Sequence, residues 1–284
     1  MVAELYAVGV TLHLDSVLID EAGCVSEMAL PTLICLAPSN LVLIGDPLQL
    51  PAYTDLVSPP HNHCRSFMER AVSFGVPAAL LSEQYRMHPA ICAAVSNEFY
   101  AGRLRTPAAV AAARAAVASP CRLVDVWGRE HWWDMAGFNN KTGAEAAIRA
   151  AGEALVALLG IGVQHPTIYI ITLYNRQRDL LKLLLERSRE GRRLAAACSC
   201  SVLSVDACQG DEVDAVIVST VRNVFNSNCK SLNLSKFFRD RRRINVAMSR
   251  ARYMCVVVGN KRTLNVPKAK PWGAVLTGYS KTRA

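Results

Sequence analysis

Long apolar runs and strong charge are both scarce in this chain of 284 residues. No stretch reaches the roughly 18 consecutive apolar residues typical of a membrane-spanning helix. Only 19% of the residues are charged and 7% are aromatic, whereas 51% are hydrophobic. This balance excludes an intrinsically disordered or collagen-like chain. We therefore expect a folded soluble protein of one large or two small domains, without a membrane partner.

Secretory features are also missing. The first residues lack the basic region, the apolar core and the cleavage site of a signal peptide. Ten cysteines are scattered through apolar stretches, in a chain too long to depend on disulfides for its core. The sequence thus predicts an intracellular protein, in the nucleus or the cytoplasm and not secreted, whose thiols are reduced.

Positive charge predominates among the charged residues. Lys and Arg total 32 against 23 Asp and Glu, which leaves a formal net charge of +9 and a pI near 9.2. Such an excess favours a polyanionic partner, above all nucleic acid. A basic surface that serves solubility alone is the alternative that charge leaves open.

Short apolar runs rich in β-branched residues alternate with stretches of helical spacing. Buried parallel strands are predicted at residues 16–19, 41–44, 167–171, 202–205, 215–219 and 255–258. Strands that alternate with helices predict an α/β fold built on parallel sheets with flanking helices. A domain boundary is expected where glycine and proline interrupt the helical pattern at residues 74–78.

Two adjacent carboxylates, Asp20 and Glu21, follow the first predicted strand directly. In a parallel sheet the carboxyl edge of the strands is where ligands bind. One carboxylate can hold Mg²⁺ while its neighbour deprotonates the attacking water in phosphoryl transfer. The alternative is a plain helix start, where the macrodipole also favours acidic residues.

Polar groups suited to phosphate and base recognition come later in the chain. Gln49 lies in the turn after the second strand, where its amide could contact a phosphate or an attacking water. Arg86 offers a permanently charged planar fork for phosphate, and Tyr85 offers a flat face for a base. Taken alone, a Tyr-Arg pair is also common on protein surfaces.

An apolar stripe of 3.6-residue spacing predicts a helix from Arg242 to Arg252. Its members are Ile244, Ala247, Met248 and Ala251. Such a helix would place Arg243 and Arg250 on one edge. For Trp127, Trp132 and Trp133, packing in the core or at an interface is favoured over base stacking.

Six segments together resemble the successive motifs of superfamily 1 helicases, in the branch that contains the nonsense-mediated-decay helicase and senataxin. Order and spacing both match, over roughly residues 17–260. The segments are Asp20-Glu21-Ala22, Gly45-Asp46-Pro47-Leu48-Gln49-Leu50-Pro51, Gln84-Tyr85-Arg86-Met87-His88-Pro89, Ile170-Ile171-Thr172-Leu173-Tyr174-Asn175, Val205-Asp206-Ala207-Cys208-Gln209-Gly210-Asp211-Glu212, and the run at 243–252.

The resemblance implies an ATP-dependent helicase or translocase that uses ATP and Mg²⁺. Asp20 would hold the metal and Glu21 would be the catalytic base. Gln49 would sense the γ-phosphate. Arg86 and Arg250 would be arginine fingers supplied by a second RecA-like domain.

Further roles follow from the same resemblance. Tyr85 would flank the nucleotide base, and Glu212 would contact the ribose. Gln209 and Gly210 would shape the loop of Glu212.

Nucleic-acid contacts are implied as well. Four residues would lie near the nucleic-acid track: Thr172, Tyr174, Ser204 and Asp206. The expected partner is RNA or single-stranded nucleic acid, with protein partners as a further option.

One family feature is absent from these residues. None of the 16 glycines is followed by lysine, so there is no Gly-Lys-Ser/Thr phosphate loop. We therefore expect the carboxyl-terminal part of a helicase core: a partial first RecA-like domain at 1–77, an essentially complete second one at 78–266, and a tail at 267–284. By itself, this chain should neither bind ATP tightly nor hydrolyse it. The alternative function is a non-enzymatic module that binds nucleic acid or protein, with the ATPase activity lost.

Overall fold

Two compact units make up the chain, Met1–Leu80 and Leu81–Ala284. The structure is a computed structural model that describes residues 14–52, 64–133, 137–228 and 234–284. The division falls a little beyond the boundary expected at residue 77. Each unit has its own parallel sheet.

The first unit contains a two-stranded parallel sheet and short helices. Its elements are β1 (Ser16–Ile19), α1 (Leu30–Leu36), β2 (Asn40–Leu43) and α2 (Phe67–Ser73). The register pairs Ser16 with Asn40 at one end of the sheet and Ile19 with Leu43 at the other. Ser66 caps α2 by accepting a hydrogen bond from the Glu69 amide at 3.0 Å, as expected for a Ser-x-x-Glu start.

The second unit is built on a six-stranded sheet in the order β10-β3-β9-β8-β6-β7, and every neighbouring pair is parallel. Its strands are β3 (Cys121–Asp125), β6 (Thr167–Thr172), β7 (Ser199–Ser204), β8 (Val213–Ser219), β9 (Ala251–Gly259) and β10 (Ser280–Arg283). A small antiparallel pair, β4 (His131–Trp132) and β5 (Phe138–Asn139), follows β3. The predicted α/β class is confirmed.

Helices connect and cover these strands. They are α3 (Pro89–Phe99), α4 (Ala108–Arg114), α5 (Lys141–Gly160), α6 (Asn175–Arg187), α7 (Arg189–Ala197), α8 (Arg241–Met248), α9 (Lys261–Leu264) and α10 (Lys270–Val275). The long helix α5 presents fully buried alanines at helical spacing, including Ala144, Ala147, Ala151 and Ala154. Small side chains on this face let the helix approach the sheet closely.

The core of the second unit lies around β8, whose residues are all buried. Val216, Ile217 and Val218 are fully excluded from solvent there. Burial of such a side chain stabilises the fold by roughly 1.5–3 kcal/mol. This continuous apolar strand is the pattern expected of a parallel sheet covered on both faces.

The helix expected at 242–252 is wrong in its last four residues. Helix α8 ends at Met248, and Ala251 already begins β9. Ala251 extends the apolar stripe only because an apolar residue at this position fits both the 3.6-residue spacing of a helix and the two-residue spacing of a strand. The β-branched run Val256–Val258 favours a strand, and pairing with β3 on one side and β8 on the other stabilises it.

The expected tail belongs by its contacts to the second unit. Residues 270–275 form α10, and Ser280–Arg283 adds β10 to the sheet beside β3. Trp272 is fully buried, and its indole donates a hydrogen bond of 2.8 Å to the Phe238 carbonyl. A buried tryptophan with a satisfied N–H fixes this segment to the body of the unit.

The cysteines within the described ranges form no disulfide bond, and Cys229 lies outside those ranges. Burial raises the pKa of Cys200, Cys208 and Cys255 to about 12, which leaves these thiols protonated and unreactive. Among the described residues, no helix combines the length and the apolar character needed to cross a membrane.

Candidate functional site

At the carboxyl edge of the first unit's sheet, the loops after β1 and β2 are held together by backbone hydrogen bonds. The Ile44 amide donates to the Ile19 carbonyl at 2.8 Å, and the Ala22 amide donates to the Ile44 carbonyl at 2.8 Å. These bonds extend the β1–β2 pairing past the strand ends. They bring the Asp20-Glu21 pair beside the turn that carries Gln49.

Two glycines make this close approach possible. A Cβ at Gly45 would lie 2.8 Å from the amides of Ala22 and Gly23, and a Cβ at Gly23 would lie 2.7 Å from the Asp46 carbonyl oxygen. Backbone atoms cannot yield as a flexible side chain would. Any other residue at either position would therefore force the two loops apart.

The acidic pair has a constrained backbone. Glu21 has φ of 50°, in the left-handed region that a non-glycine residue seldom adopts. The Asp20 carboxylate accepts a hydrogen bond from the Glu21 amide at 2.9 Å, which helps to hold this turn. Strain of this kind costs about 1–3 kcal/mol and is typical of functional sites. Both side chains are exposed.

The turn after β2 is organised by a second carboxylate. Asp46 accepts hydrogen bonds from the Leu48 amide and from the Gln49 side-chain amide, each at 2.9 Å. The Gln49 side-chain amide is therefore held by a neighbour in its own turn. The structure brings together the predicted residues Asp20, Glu21 and Gln49 at one edge of the sheet.

In the second unit, Glu212 bridges two arginines. Its carboxylate accepts a hydrogen bond of 3.0 Å from Arg86 Nε and one of 3.1 Å from Arg252 Nε, and Arg252 Nη2 makes a further short contact with it. Hydrogen bonds from Arg252 and then from Arg86 lower the pKa of the Glu212 carboxyl. Arg86 is thus joined to a residue 126 positions away in the sequence.

Arg250 lies next to this cluster and is buried, with only 2% of its surface exposed. Its Nε donates to the Val246 carbonyl at 3.1 Å, and its Nη2 donates to the Ser249 hydroxyl at 2.9 Å. Val246 belongs to the last turn of α8, where a cation is favoured by the helix dipole. To contact a phosphate, the Arg250 guanidinium would have to give up one of these hydrogen bonds.

Arg250 and Arg243 do not share an edge, contrary to the helix prediction. Arg243 lies near the start of α8, where it pairs with Asp206 at 3.1 Å and with Asp240 at 2.7 Å. Arg250 follows the end of the same helix. Arg250 therefore does not project from the helix that carries Arg243.

The loop that carries Arg86 is fixed by Gln84. The Gln84 side-chain oxygen accepts hydrogen bonds from the amides of Arg86 and Met87 at 3.0 and 2.6 Å, and its nitrogen donates to Thr106 at 2.7 Å. Tyr85 projects from this loop with 66% of its surface exposed, and its hydroxyl donates to Glu83 at 3.1 Å. The open ring face can pack against a planar ligand.

The predicted nucleotide residues and nucleic-acid residues lie at opposite edges of the sheet. Glu212 and Arg250 immediately precede β8 and β9, at the amino edge. Thr172 and Ser204 end β6 and β7, at the carboxyl edge, and are paired in the register. A strand of this length spans roughly 20 Å, so no small ligand reaches both edges.

The predicted nucleic-acid residues differ in accessibility. Thr172 is fully buried and donates a hydrogen bond to the Ser219 carbonyl at 3.1 Å. Tyr174 is 8% exposed and packs edge-on against Phe138. Asp206 is exposed. Direct contact with nucleic acid is therefore open to Asp206, whereas Thr172 and Tyr174 can act only by supporting the surface.

Gln209 and Gly210 lie on the connection that leads from β7 to Glu212. Gly210 adopts φ of 81°, which glycine tolerates and which lets the chain turn before β8. Gln209 is half-buried. The loop-shaping role expected of this pair is compatible with that position.

A family model described as an AAA domain matches residues 63–262. The chain belongs to this AAA domain family. Its relatives place it among the superfamily 1 helicases of the Upf1 and Sen1 type, as the six motifs predicted.

Several curated helicases resemble this helicase segment over most of its length. Regulator of nonsense transcripts 1 homolog from Arabidopsis thaliana is 32% identical over 274 residues, which cover 93% of this chain and 21% of that protein. ATP-dependent helicase upf1 from Schizosaccharomyces pombe is 31% identical over 260 residues, with 88% and 27% coverage. Helicase sen1 from the same yeast is 28% identical over 274 residues, with 94% and 16% coverage. The chain spans less than a third of these relatives.

Solved helicase structures also match. The PRRSV helicase aligns with a TM-score of 0.42 and 18% identity, covering 87% of this chain and 35% of that one. An arterivirus nonstructural protein 10 helicase in complex with DNA aligns with a TM-score of 0.41 and 14% identity, covering 93% and 41%.

The helicase segment has no complete metal site of its own among its described residues. No group of three His, Cys, Asp or Glu side chains converges there in a way that could hold an ion. Asp20 can supply at most part of a Mg²⁺ coordination sphere. The described residues therefore do not form a complete magnesium site by themselves.

Two features of this helicase segment have almost no signal in the sequence. Arg252 shares Glu212 with Arg86, although in the sequence it is only the last residue of the run at 243–252. Glu130 and Arg222 form a fully buried ion pair, with Arg222 Nε and Glu130 Oε2 at 2.9 Å. Arg222 also lies 3.9 Å from the centre of the Phe138 ring. The only sign of this ion pair in the sequence is an isolated arginine, Arg222, after a buried strand.

The prediction that the three tryptophans pack in the core is wrong. Trp127, Trp132 and Trp133 expose 57%, 47% and 51% of their surfaces. They follow β3 or lie on the β4–β5 hairpin, beyond the carboxyl end of β3, where little covers them. Packing at an interface with another molecule stays a prediction, and so does the less favoured alternative of base stacking.

Proposed function

We propose that this chain is part of the core of an ATP-dependent helicase that moves on RNA or single-stranded nucleic acid. The observation that carries the proposal is the convergence of Arg86, Glu212 and Arg250 at the amino edge of one sheet. They come from three segments far apart in the sequence. Each segment is one of the six helicase-like motifs.

The second unit would recognise the nucleotide. Tyr85 has the exposed ring needed to flank a base. Arg86 is only partly buried, so its guanidinium can exchange the Glu212 carboxylate for a phosphate. Arginine fingers contribute roughly 10³ to 10⁵ in phosphoryl-transfer rate when the nucleotide is held in line. Glu212 would then be released for a ribose hydroxyl, and Gln209 and Gly210 would shape its loop.

The first unit would supply the hydrolytic groups. Glu21 is exposed in a constrained turn, which suits a base that must deprotonate water. Asp20 would provide a metal ligand and Gln49 would respond to the γ-phosphate. ATP bound in a complete core supplies the phosphoryl group that is transferred.

Nucleic acid would follow the carboxyl edge of the second unit's sheet. Asp206 and Ser204 lie at that edge, while the buried side chains of Thr172 and Tyr174 pack beneath its surface. The relatives are named for nonsense transcripts, which favours RNA as the polymer. The net charge of +9 is also favourable for a polyanion.

A chimera tests the proposal. The 260 residues of Schizosaccharomyces pombe ATP-dependent helicase upf1 that match this chain would be replaced by it. We expect ATP hydrolysis that is stimulated by RNA. Glu21→Gln and Arg250→Ala should each lower the turnover number by about 10³ or more. Arg193→Ala, on an exposed part of α7, is the matched control and should leave turnover unchanged.

Two results would contradict the proposal. The first is a folded chimera without RNA-stimulated turnover. The second is turnover that survives Arg250→Ala at the level of Arg193→Ala. The 284-residue chain alone should show no turnover, because it contains no Gly-Lys phosphate loop.

A further inference from the structure

Arg252 and Arg86 hold opposite oxygens of the Glu212 carboxylate. Arg252 Nε donates a hydrogen bond of 3.1 Å to Glu212 Oε1, and Arg252 Nη2 makes a shorter contact with the same oxygen. Arg86 Nε donates to the other oxygen, Oε2, at 3.0 Å. Because the two arginines bind different oxygens, Arg86 can leave the carboxylate without breaking the contacts of Arg252.

A second carboxylate fixes the Arg252 side chain from behind. Arg252 Nη1 lies 3.8 Å from Asp214 Oδ1, and Asp214 is buried in β8. Asp214 Oδ2 accepts hydrogen bonds from the amide and the hydroxyl of Thr167, at 2.9 and 2.8 Å, which ties it to the first residue of β6. The Arg252 guanidinium is thus anchored to two strands of the sheet.

The backbone of Arg252 also holds the loop that carries Arg86. The His88 amide donates a hydrogen bond of 2.7 Å to the Arg252 carbonyl. The side chains of the cluster are partly exposed, by 29% for Arg86, 38% for Arg252 and 39% for Glu212. A ligand can therefore reach the shared carboxylate from solvent.

We infer that Arg252 is a positioning residue: it keeps Glu212 in place when Arg86 exchanges the carboxylate for a phosphate, so that Glu212 Oε2 can accept a hydrogen bond from a ribose hydroxyl. This role rests on the nucleotide function proposed above for Arg86 and Glu212. Without Arg252, the flexible Glu212 side chain would lose its last partner in the cluster and would gain rotamer freedom. Arg252 thereby sets the selectivity for ribose without touching the nucleotide.

The full 284-residue chain tests the anchoring without nucleotide. Carbon NMR of the Glu212 carboxyl group, followed through a pH titration, compares Arg252→Ala with Arg86→Ala. Both substitutions should raise the pKa of Glu212, and Arg252→Ala should raise it more, because Arg252 makes the larger share of the contacts. An equal or smaller rise in Arg252→Ala would overturn the inference.

Calorimetry on the Schizosaccharomyces pombe chimera tests ribose selectivity through binding alone, with a non-hydrolysable ATP analogue and its 2′-deoxy and 3′-deoxy forms. The wild-type chimera should bind the ribose form roughly 10-fold more tightly than at least one deoxy form, as expected for one hydrogen bond to a charged group. Arg252→Ala should reduce this ratio to about 2 or less, chiefly by weakening the ribose form. Arg252→Lys should restore part of the ratio, since an ammonium keeps the charge but not the planar fork.

Two controls separate this role from a general effect of charge or folding. Arg178→Ala removes an arginine that is 33% exposed and also paired with a carboxylate, and it should leave the ratio unchanged. Combining Arg252→Ala with Glu212→Gln should lower the ratio no further than Glu212→Gln alone, because Arg252 acts through Glu212. Thermal unfolding of every variant checks that the fold is kept.

The outcomes distinguish this inference from the proposed function. A ratio that survives Arg252→Ala, or a wild-type chimera that binds all three nucleotides equally, overturns the role of Arg252 even where RNA-stimulated turnover is present. Ribose selectivity that depends on Arg252 in a chimera without turnover supports the role of Arg252 and contradicts the helicase proposal alone.

Discussion

The two units hold their candidate residues by different means. In the first unit the strands are thinly covered: Leu18 in β1 is 65% exposed and Val42 in β2 is 45% exposed. In the second unit β8 is buried along its whole length. The first site therefore depends on backbone contacts between Gly23 and Gly45, whereas the second depends on side chains fixed by a packed core.

This contrast shows that ordered loop geometry and the stability of the sheet that carries the loops are separate properties. A two-stranded sheet is at best marginally stable alone, even where its loops are tightly ordered. A six-stranded sheet covered by helices can maintain buried charges, such as the Glu130–Arg222 pair. The helicase-like motifs thus lie on two sheets of different stability. Four predictions concern this difference and the interactions that stabilise each sheet.

The largest difference should appear when the units are produced separately. Residues 81–284 should unfold in urea with one cooperative transition, because they contain the six-stranded sheet and its core. Residues 1–80 should show no cooperative transition by circular dichroism. Their exposed Leu18, Ile34 and Phe74 should also promote association in size-exclusion chromatography. A sharp transition in a monomeric 1–80 segment would remove the contrast.

Breaking the buried ion pair should have the next largest effect. Glu130→Gln leaves the Arg222 charge buried without its partner, so the free energy of unfolding should fall by about 3–5 kcal/mol. Glu153→Gln is the control, because Glu153 pairs with Arg122 but is 59% exposed. That variant should change stability by no more than about 1 kcal/mol.

A double substitution in the same pair distinguishes the cost of an unpaired buried charge from the cost of altered side-chain shape. Combining Glu130→Gln with Arg222→Met should recover part of the lost stability, since no unpaired charge then stays buried. Equal losses in Glu130→Gln and Glu153→Gln, measured by urea unfolding, would show that the pair is not essential to the core.

Matched leucines compare the two sheets directly. Leu123 in β3 is 1% exposed and Leu18 in β1 is 65% exposed. Leu123→Ala should cost about 2–5 kcal/mol through lost burial and the cavity that remains. Leu18→Ala should cost less than about 1 kcal/mol, because an exposed side chain loses little. Similar thermal shifts for both variants would argue that another surface covers β1.

The smallest expected effect is the pH dependence of Glu212. Its pKa in the folded chain is lowered from 4.5 by Arg252 and Arg86, so its contribution to stability is present above pH 4.5 and is lost as pH falls through the lowered value. The side chain is 39% exposed, which limits the contribution to about 1 kcal/mol or less. The free energies of unfolding of wild type and Glu212→Gln should differ at pH 7 and converge as the pH falls below the lowered pKa of Glu212.

A matched variant makes this pH test specific. Asp179→Asn removes a carboxylate from an exposed pair with Arg178 on α6. Its difference from wild type should be smaller than that of Glu212→Gln at pH 7. A Glu212→Gln difference that grows towards pH 3 would contradict the assigned sign.

The α/β class and the order of the motifs follow from the sequence, because short apolar runs and polar strand ends are local patterns. The sequence predicts strands β1, β2, β6, β7, β8 and β9, but β9 begins four residues before the predicted start at 255. Strands β1 and β2, predicted to be buried, contain no fully buried residue. Strand β3 was missed, and so was β10, whose residues Ser280–Arg283 are all exposed and carry no apolar signal. An edge strand of this kind is recognised only by its partner.

The sequence by itself determined which residues carry the helicase pattern, since motifs depend on spacing along the chain. Only the tertiary structure decided that Arg86 and Arg252 share Glu212 and that Arg250 is buried after the end of α8. The physical reason is that hydrogen bonds and burial join residues that are distant in the sequence, 40 positions apart for Arg252 and Glu212 and 126 for Arg86 and Glu212. No local periodicity contains that information.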